Sequence, residues 1–178
     1  RIADNSVSAG SVSDTVSSYG GAGYVLLHED NYYVTVSCYY SENDAKSVCD
    51  GLKRREFDCF VLEKITESYK LNTGYARNNS ELYKGNLNTL DTISRLAYDC
   101  ANRLDTGEYG QTEAKEIFNE IKRGIYGLYG NNTDNCFTAP LKELKDICEE
   151  KFVGYVYSKN LRYLQIAIAD RVINAGLY

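Results

Sequence analysis

One histidine and two pairs of carboxylates are the side chains whose type and spacing could serve acid–base chemistry, and their context does not predict catalysis. His28 is the only histidine among the 178 residues, and it stands beside Glu29 and Asp30 at a predicted turn. A solvent-exposed turn offers no pocket that would tune an imidazole as a base. The favoured interpretation of His28 is therefore a solvated turn residue, and a functional base is the alternative.

Two pairs of carboxylates have the spacing of acid–base groups. Glu149 and Glu150 are adjacent, and Glu113 precedes Glu116 by three residues. Lysines stand beside both pairs, so on predicted helices these acids read as solvated faces with intrahelical ion pairs. The sequence contains no nucleophile elbow, Walker sequence or dinucleotide-binding fingerprint. It therefore predicts no enzyme and no cofactor; an enzyme of unrecognised type would require a deep pocket with two convergent titratable groups.

Six cysteines allow three kinds of role. Their even number permits three disulfides in an exported protein, but no CxxC pair occurs and several lie where the local pattern requires an apolar residue. Reduced core cysteines are the favoured interpretation, with a disulfide framework as the alternative. A zinc site has little support because only one histidine is present, so no metal site is predicted. The cysteines are Cys38, Cys49, Cys59, Cys100, Cys136 and Cys148.

Composition limits the classes of partner. The formal charge of -5 argues against binding to nucleic acid by phosphate neutralisation. The apolar runs are too short to span a bilayer. The chain begins at Arg1 and contains no methionine, so we expect a fragment or a processed product, before which a signal or membrane anchor can stand. Tyrosine is abundant, at 17 residues, and its broad, hydrogen-bonding ring suits carbohydrate and protein surfaces, although biased base composition explains it equally well.

The first third of the chain has the pattern of strands. Residues 23–28 and 31–39 are rich in β-formers and flank Glu29-Asp30, which predicts a hairpin. Side chains alternate along a strand, so four polar and aromatic residues of the second run share one face. That face is either a free surface that binds sugar rings or a surface covered by the C-terminal helices, with half-buried tyrosines. The four residues are Tyr33, Thr35, Ser37 and Tyr39.

A helix and a third strand are predicted to follow the hairpin. Ser41 has the context of a helix N-cap, with Asp44 three residues later as in a capping box. We expect this helix to cover the face of the second strand opposite Tyr33, and residues 57–63 to form the third strand. The Ser- and Gly-rich residues 6–23 are expected to be a loose lead-in with a short helix over residues 12–19.

After residue 68 the periodicity becomes helical. Four stripes of apolar residues, separated by glycine- and asparagine-rich turns, predict four helices around a shared core. Ser80 and Thr138 are predicted to cap the first and third helices, and Thr112 and Ser158 to begin the second and fourth. We therefore predict an α+β protein, with a small sheet and a packed helix over residues 1–68 and a four-helix region over residues 69–178.

Residues 24–64 resemble the latter part of a SPOR domain. The resemblance rests on the aromatic strand Tyr32-Tyr-Val-Thr-Val-Ser-Cys-Tyr39, the helix start Asn43-Asp-Ala45 and the apolar segment Cys59-Phe-Val-Leu62. It covers about a quarter of the chain. The first strand–helix half of that family's fold is missing or reduced to residues 1–20, and the helical region lies outside the family pattern.

The resemblance implies a non-enzymatic protein of the bacterial cell envelope or of sporulation and division. Domains of this family bind peptidoglycan glycan strands on the open face of the sheet, which maps onto Tyr33, Thr35, Ser37 and Tyr39. A location outside a membrane anchor is implied, with a cytoplasmic location as the alternative. The second hypothesis for the function is a helical module that binds a protein partner and needs no carbohydrate.

Overall fold

The computed structural model describes residues 2–3, 5–63, 80–132 and 137–174. The chain divides into two compact units, Arg1–Glu67 and Ser68–Tyr178. The first contains a small antiparallel sheet and the second contains packed helices, so the α+β class predicted from the sequence is confirmed.

The first unit has the element order strand, helix, strand, strand, helix. Its three strands form one antiparallel sheet in the order β1-β3-β2. The central strand, β3, therefore pairs with both of the others. The elements are β1 (Ile2–Ala3), α1 (Ser6–Ser18), β2 (Tyr24–His28), β3 (Asn31–Thr35) and α2 (Glu42–Lys53).

The serine-rich lead-in is mostly helical, which corrects the expectation of a loose segment with only a short helix. The Asn5 side chain accepts a hydrogen bond from the Ser8 amide at 2.9 Å, and the Ser8 hydroxyl accepts one from the Asn5 amide at 3.3 Å. This reciprocal pair satisfies amides that the first turn leaves without helical partners. Ala9 of α1 is fully buried with Val34 of β3, so packing on the sheet adds to the capping.

Helix α1 covers one face of the sheet, which is the face that sequence assigned to α2. Around Ala9 and Val34 pack the partly buried side chains of α1, β2 and β3 on that face. Those side chains are Val12, Val16, Val25 and Tyr32. Burial of this small apolar cluster is the interaction that holds α1 on β3.

Gly23 allows α1 and β2 to approach closely. Its φ is +64°, and a Cβ atom there would lie 2.3 Å from the Ser17 hydroxyl oxygen and 2.6 Å from the Ser13 carbonyl oxygen. The Ser13 hydroxyl donates to the Gly23 carbonyl at 2.5 Å. Only glycine readily adopts this φ and fits into this space, because it has no Cβ atom. The glycine-rich stretch therefore allows the close connection between α1 and β2.

The predicted hairpin is confirmed. His28 pairs with Asn31, and the two loop residues Glu29 and Asp30 have φ values of 47° and 62°. Positive φ at both positions is the type I′ geometry, which matches the twist of the flanking strands. Neither loop residue is glycine, so both hold a left-handed conformation that costs an ordinary residue about 1 kcal/mol.

Two strand predictions are wrong, because one strand is shorter than predicted and the other does not form. Strand β3 ends at Thr35 and not at Tyr39, because the last link of the ladder is the hydrogen bond from the Ala22 amide to the Val36 carbonyl. Residues 57–63 contain no strand. A tight turn at the end of α2 brings Cys59 to hydrogen-bond distance of the Cys49 carbonyl, so this segment contacts the helix.

The second unit contains the four predicted helices, which are α3 (Ser80–Asp105), α4 (Gln111–Asn131), α5 (Thr138–Glu150) and α6 (Ser158–Asn174). Each packs against its neighbour in sequence, and α6 closes the bundle against α3. The predicted stripes supply most of the core, although Leu82 is exposed. The largest buried side chains include Ile121, Ile125, Leu141, Leu144, Leu161 and Leu164.

A buried amide network links α3, the end of α4 and the start of α5. Asn132 is fully buried; its side-chain amide donates to the Leu128 carbonyl and accepts from the Asn86 amide, both at 2.7 Å. The Thr138 hydroxyl donates to the Asn132 carbonyl at 2.8 Å and so does not cap its own helix. One asparagine therefore links three helices.

Candidate functional site

The alternation of β2 and β3 places Tyr33 and Thr35 on the face opposite α1. Leu26 pairs directly with Tyr33, and Tyr24 pairs directly with Thr35. Directly paired residues of an antiparallel sheet project to the same side. The prediction that Tyr33 and Thr35 share one face is therefore confirmed, whereas the helix packed on the opposite face is α1 and not the predicted α2.

This face is partly covered. Tyr24 and Leu26 are only 5% and 7% exposed, while Tyr33 and Thr35 are half-buried. The Phe60 ring stands edge-on to the Tyr33 ring, with 6.0 Å between centroids and 71° between planes. The His28 ring also lies beside Tyr33, 6.2 Å from the Tyr33 ring between centroids, so both of these rings against Tyr33 belong to the same unit.

Of the other three predicted site residues, Thr35 shares the face of Tyr33, whereas Ser37 and Tyr39 lie beyond the strand. The Thr35 hydroxyl donates to the Tyr24 carbonyl at 2.8 Å, so its proton is used within the hairpin. Ser37 and Tyr39 lie in irregular backbone beyond the end of β3, and both are half-buried. Strand alternation stops where the ladder stops, so the four predicted residues do not form one face.

Aromatic residues that sequence did not assign to the site stand beside Tyr33. Phe60 is 47% exposed, and Phe57, three residues earlier, meets Tyr19 edge-on at 5.5 Å between ring centroids. Tyr19 and Phe57 are both exposed. The two ring pairs combine contact area with edges and faces that remain open to solvent.

The candidate acid–base groups have structural or solvated surroundings. The His28 imidazole lies 3.9 Å from the exposed Glu29 carboxylate, but it is half-buried itself and its ring lies beside the Tyr33 ring, so it is less solvated than the sequence predicts. Glu113 accepts from the Gly110 amide at 3.0 Å and so closes the start of α4. Neither arrangement brings two titratable groups onto one enclosed point, as general acid–base catalysis requires.

Glu149 is held in its ionised form. Its carboxylate accepts a hydrogen bond from the Tyr126 hydroxyl, and Lys145 lies 3.3 Å away. The Tyr126 bond, followed by Lys145, lowers the pKa of Glu149. The same bond raises the pKa of Tyr126 to about 12. Both contacts favour the ionised form of Glu149, as in a surface ion pair.

Within the described residues, no group of three or more histidine, cysteine or acidic side chains is arranged to hold a metal ion. The described helices also include none with the length and hydrophobicity of a membrane span. Cys49, Cys100 and Cys148 are buried, as expected of core residues, whereas Cys38 and Cys59 are half-buried. Cys136 lies outside the described residues.

The second unit presents one conspicuous apolar loop between α5 and α6. Val153, Tyr155 and Tyr157 are 80%, 58% and 51% exposed. Val156, between the two tyrosines, is buried, and the Gln111 side chain binds both of its backbone groups, at 2.8 Å to the carbonyl and 3.0 Å to the amide. The loop is therefore anchored, and its exposed side chains stand on a fixed backbone.

No family model, curated protein or solved structure matches the chain.

Proposed function

We propose that the first unit is a SPOR-like module that binds glycan strands of bacterial peptidoglycan, in a protein of the cell envelope that is not an enzyme. The observation that carries the proposal is the Tyr33–Phe60 ring pair on the sheet face opposite α1. Sugar rings stack on aromatic faces while their hydroxyls bond to nearby polar groups, and tyrosine supplies both kinds of contact.

The element order also supports the proposal. The first unit has strand, helix, strand, strand and helix, and its sheet is antiparallel with β3 in the centre. This is the beginning of the split βαβ arrangement, β-α-β-β-α-β. The short β1 and the helix α1 lie within residues 1–20, the stretch to which the resemblance assigns a missing or reduced first strand–helix half. Residues 57–63 follow α2 where a last strand would stand, but they have irregular backbone.

The contact surface that we propose differs from the row of four residues predicted from sequence. Tyr33 remains in it, and Phe60 joins it as the most exposed ring on that face. Thr35 contributes to the shape of the hairpin through its bond to Tyr24. Tyr19 and Phe57 provide a second aromatic pair in the same unit.

Sedimentation of the purified chain with peptidoglycan sacculi tests this function. We expect the wild type to sediment with sacculi, and more strongly after an amidase has removed the stem peptides. Phe60→Ala should weaken the apparent affinity about tenfold, since one lost stacking contact costs about 1.4 kcal/mol. Tyr155→Ala, which removes an exposed aromatic ring from the second unit, is the matched control and should bind like wild type.

Two results would contradict the proposal. One is an absence of wild-type binding to either preparation of sacculi. The other is equal binding by wild type and a Tyr33→Ala/Phe60→Ala double variant whose far-ultraviolet circular dichroism shows it folded. A Tyr33→Ala/Tyr39→Ala variant distinguishes the Tyr33–Phe60 pair from the row predicted from sequence. If this variant loses binding while Phe60→Ala retains it, the predicted row is the favoured contact surface.

The anchored loop favours a second candidate function, a helical module that binds protein. Three apolar side chains on a fixed backbone lose little conformational entropy when they are buried by a partner. Sedimentation velocity of wild type and of a Val153→Ser/Tyr155→Ser/Tyr157→Ser variant tests the homotypic form of this idea. Self-association of wild type only would support it, and a monomer at all concentrations would remove it.

A further inference from the structure

Two cysteine thiols in the first unit are in contact. The Sγ atoms of Cys49 and Cys59 lie 3.3 Å apart, and the Cys59 thiol is also 3.4 Å from the Cys49 carbonyl oxygen. The two residues are ten positions apart in sequence. Neither spacing nor helical periodicity predicted this pairing.

Backbone hydrogen bonds place the two thiols together. Cys49 lies in α2 near its end, where the Phe57 amide bonds to the Leu52 carbonyl at 3.1 Å and the Glu56 amide bonds to the Lys53 carbonyl at 2.9 Å. Glu56 has a φ of 66°. These features define a Schellman motif, which ends the helix and reverses the chain. Cys59 returns to Cys49 because of this turn.

The approach needed for a bond is small. A disulfide has a sulfur–sulfur distance of about 2.05 Å, so the two sulfurs must close by about 1.3 Å, which is within the reach of side-chain rotation. Cys49 is only 7% exposed, whereas Cys59 is half-buried and reachable from solvent. An external reagent therefore meets Cys59 first, and Cys49 is positioned to resolve the product.

We propose that Cys49 and Cys59 are a redox pair that closes to a disulfide by exchange with a small-molecule disulfide of the glutathione class. The Cys59 thiolate attacks one sulfur of the reagent, forms a mixed disulfide and releases one thiol. The Cys49 thiolate then attacks the Cys59 sulfur and releases the second thiol. The two cysteines lose two electrons and two protons, and the reagent gains both as two thiols.

Closure has a local consequence. Residues 57–63 carry Phe57 and Phe60 and have no ladder of their own, so the new bond would tie them covalently to α2. We expect the attack by Cys59 to be the slow step of the exchange. Burial and then the Cys49 thiol raise the pKa of Cys59, which reduces the fraction of thiolate at neutral pH. This proposal does not depend on glycan binding.

The full chain, equilibrated in oxidised and reduced glutathione, quenched by alkylation and digested, tests the pair by mass spectrometry. We expect the Cys49–Cys59 disulfide to dominate and to be at least tenfold more abundant relative to other pairs than in the same chain in urea. Cys38→Ser, which removes the other half-buried thiol of this unit, is the matched control and should leave the product unchanged.

Three outcomes would overturn the pair. They are a stable glutathione adduct on Cys59 without closure, a dominant bond from either cysteine to Cys38, and a native pattern equal to the pattern in urea. The comparison of native and unfolded wild type requires no variant to fold. Loss of sacculus binding without loss of this disulfide would count against the glycan proposal alone.

Discussion

Replacement of Cys148 by alanine should remove a defined part of the protein's sensitivity to alkaline pH. Cys148 lies on α5 in the core of the helical unit, and burial raises the pKa of its thiol to about 12 from an ordinary value of 9.0. In the unfolded chain the same thiol ionises near pH 9. The folded state therefore retains a proton between about pH 9 and 12 that the unfolded state loses.

The sign and size of the effect follow from this difference. Stability falls as pH rises wherever the folded state binds more protons than the unfolded state. Between pH 8 and pH 10 the contribution of Cys148 integrates to a loss of about 1.4 kcal/mol. Burial also raises the pKa of Cys100, to about 11, but Cys100 is present in both proteins and cancels in the comparison.

Urea unfolding followed by far-ultraviolet circular dichroism, in a phosphine reductant, measures the effect at pH 8 and pH 10. The wild-type free energy of unfolding should fall between these two pH values by about 1.4 kcal/mol more than that of Cys148→Ala. The alanine variant has a lower absolute stability because it loses packing, but only the difference between pH values matters. Equal losses in both proteins would refute the assignment of Cys148 as a buried, protonated thiol.

Three further predictions concern packing, backbone and the amide network. Leu164→Ala should lower the free energy of unfolding by about 2–5 kcal/mol in urea titrations. Leu82→Ala, at an exposed position, should change it by less than about 1 kcal/mol. Similar losses in the two variants would mean that the core is misassigned. Glu56→Gly should raise the melting temperature by relieving the left-handed conformation, a gain of about 1 kcal/mol, and a lower melting temperature would contradict the turn geometry. Asn132→Ala should cost about 1–3 kcal/mol in the same titrations because it leaves the buried Asn86 amide without this acceptor, and an unchanged stability would remove the network's role.

The helical unit was largely predictable because its signal is long. Apolar stripes repeated over four helices, and buried residues such as Ile121, Leu144 and Leu164 fall on them. Leu82 fits its stripe by spacing and is nevertheless exposed, since periodicity shows which face is apolar but not where a partner helix covers it. The amide network of Asn132 was not predictable because its partners are distant in sequence.

The sheet unit was less predictable because its elements are short. Strand β1 has only two residues, too few for an alternation pattern, and it exists through pairing with β3. Residues 57–63 have the composition of a strand, but the Schellman turn brings Cys59 to α2. Local composition does not predict whether such a segment pairs with a sheet or contacts a helix.

The candidate site shows the same limit. Alternation placed Tyr33 and Thr35 on one face, but it said nothing of where pairing stops, so Ser37 and Tyr39 were included. Phe60 was missed because its position beside Tyr33 depends on the path of the chain after α2. The sequence signal that would have helped is the density of aromatic residues in that segment.

The two hydrogen bonds from the Gln111 side chain to Val156 indicate which positions of this chain tolerate substitution. Gln111 bonds to the main-chain carbonyl and amide of Val156, and neither bond depends on which side chains flank that residue. Residues 153, 155 and 157 can therefore be randomised while the anchor retains the path of the loop. The loop is a natural place to graft a short recognition peptide, with Gln111 and Val156 held constant.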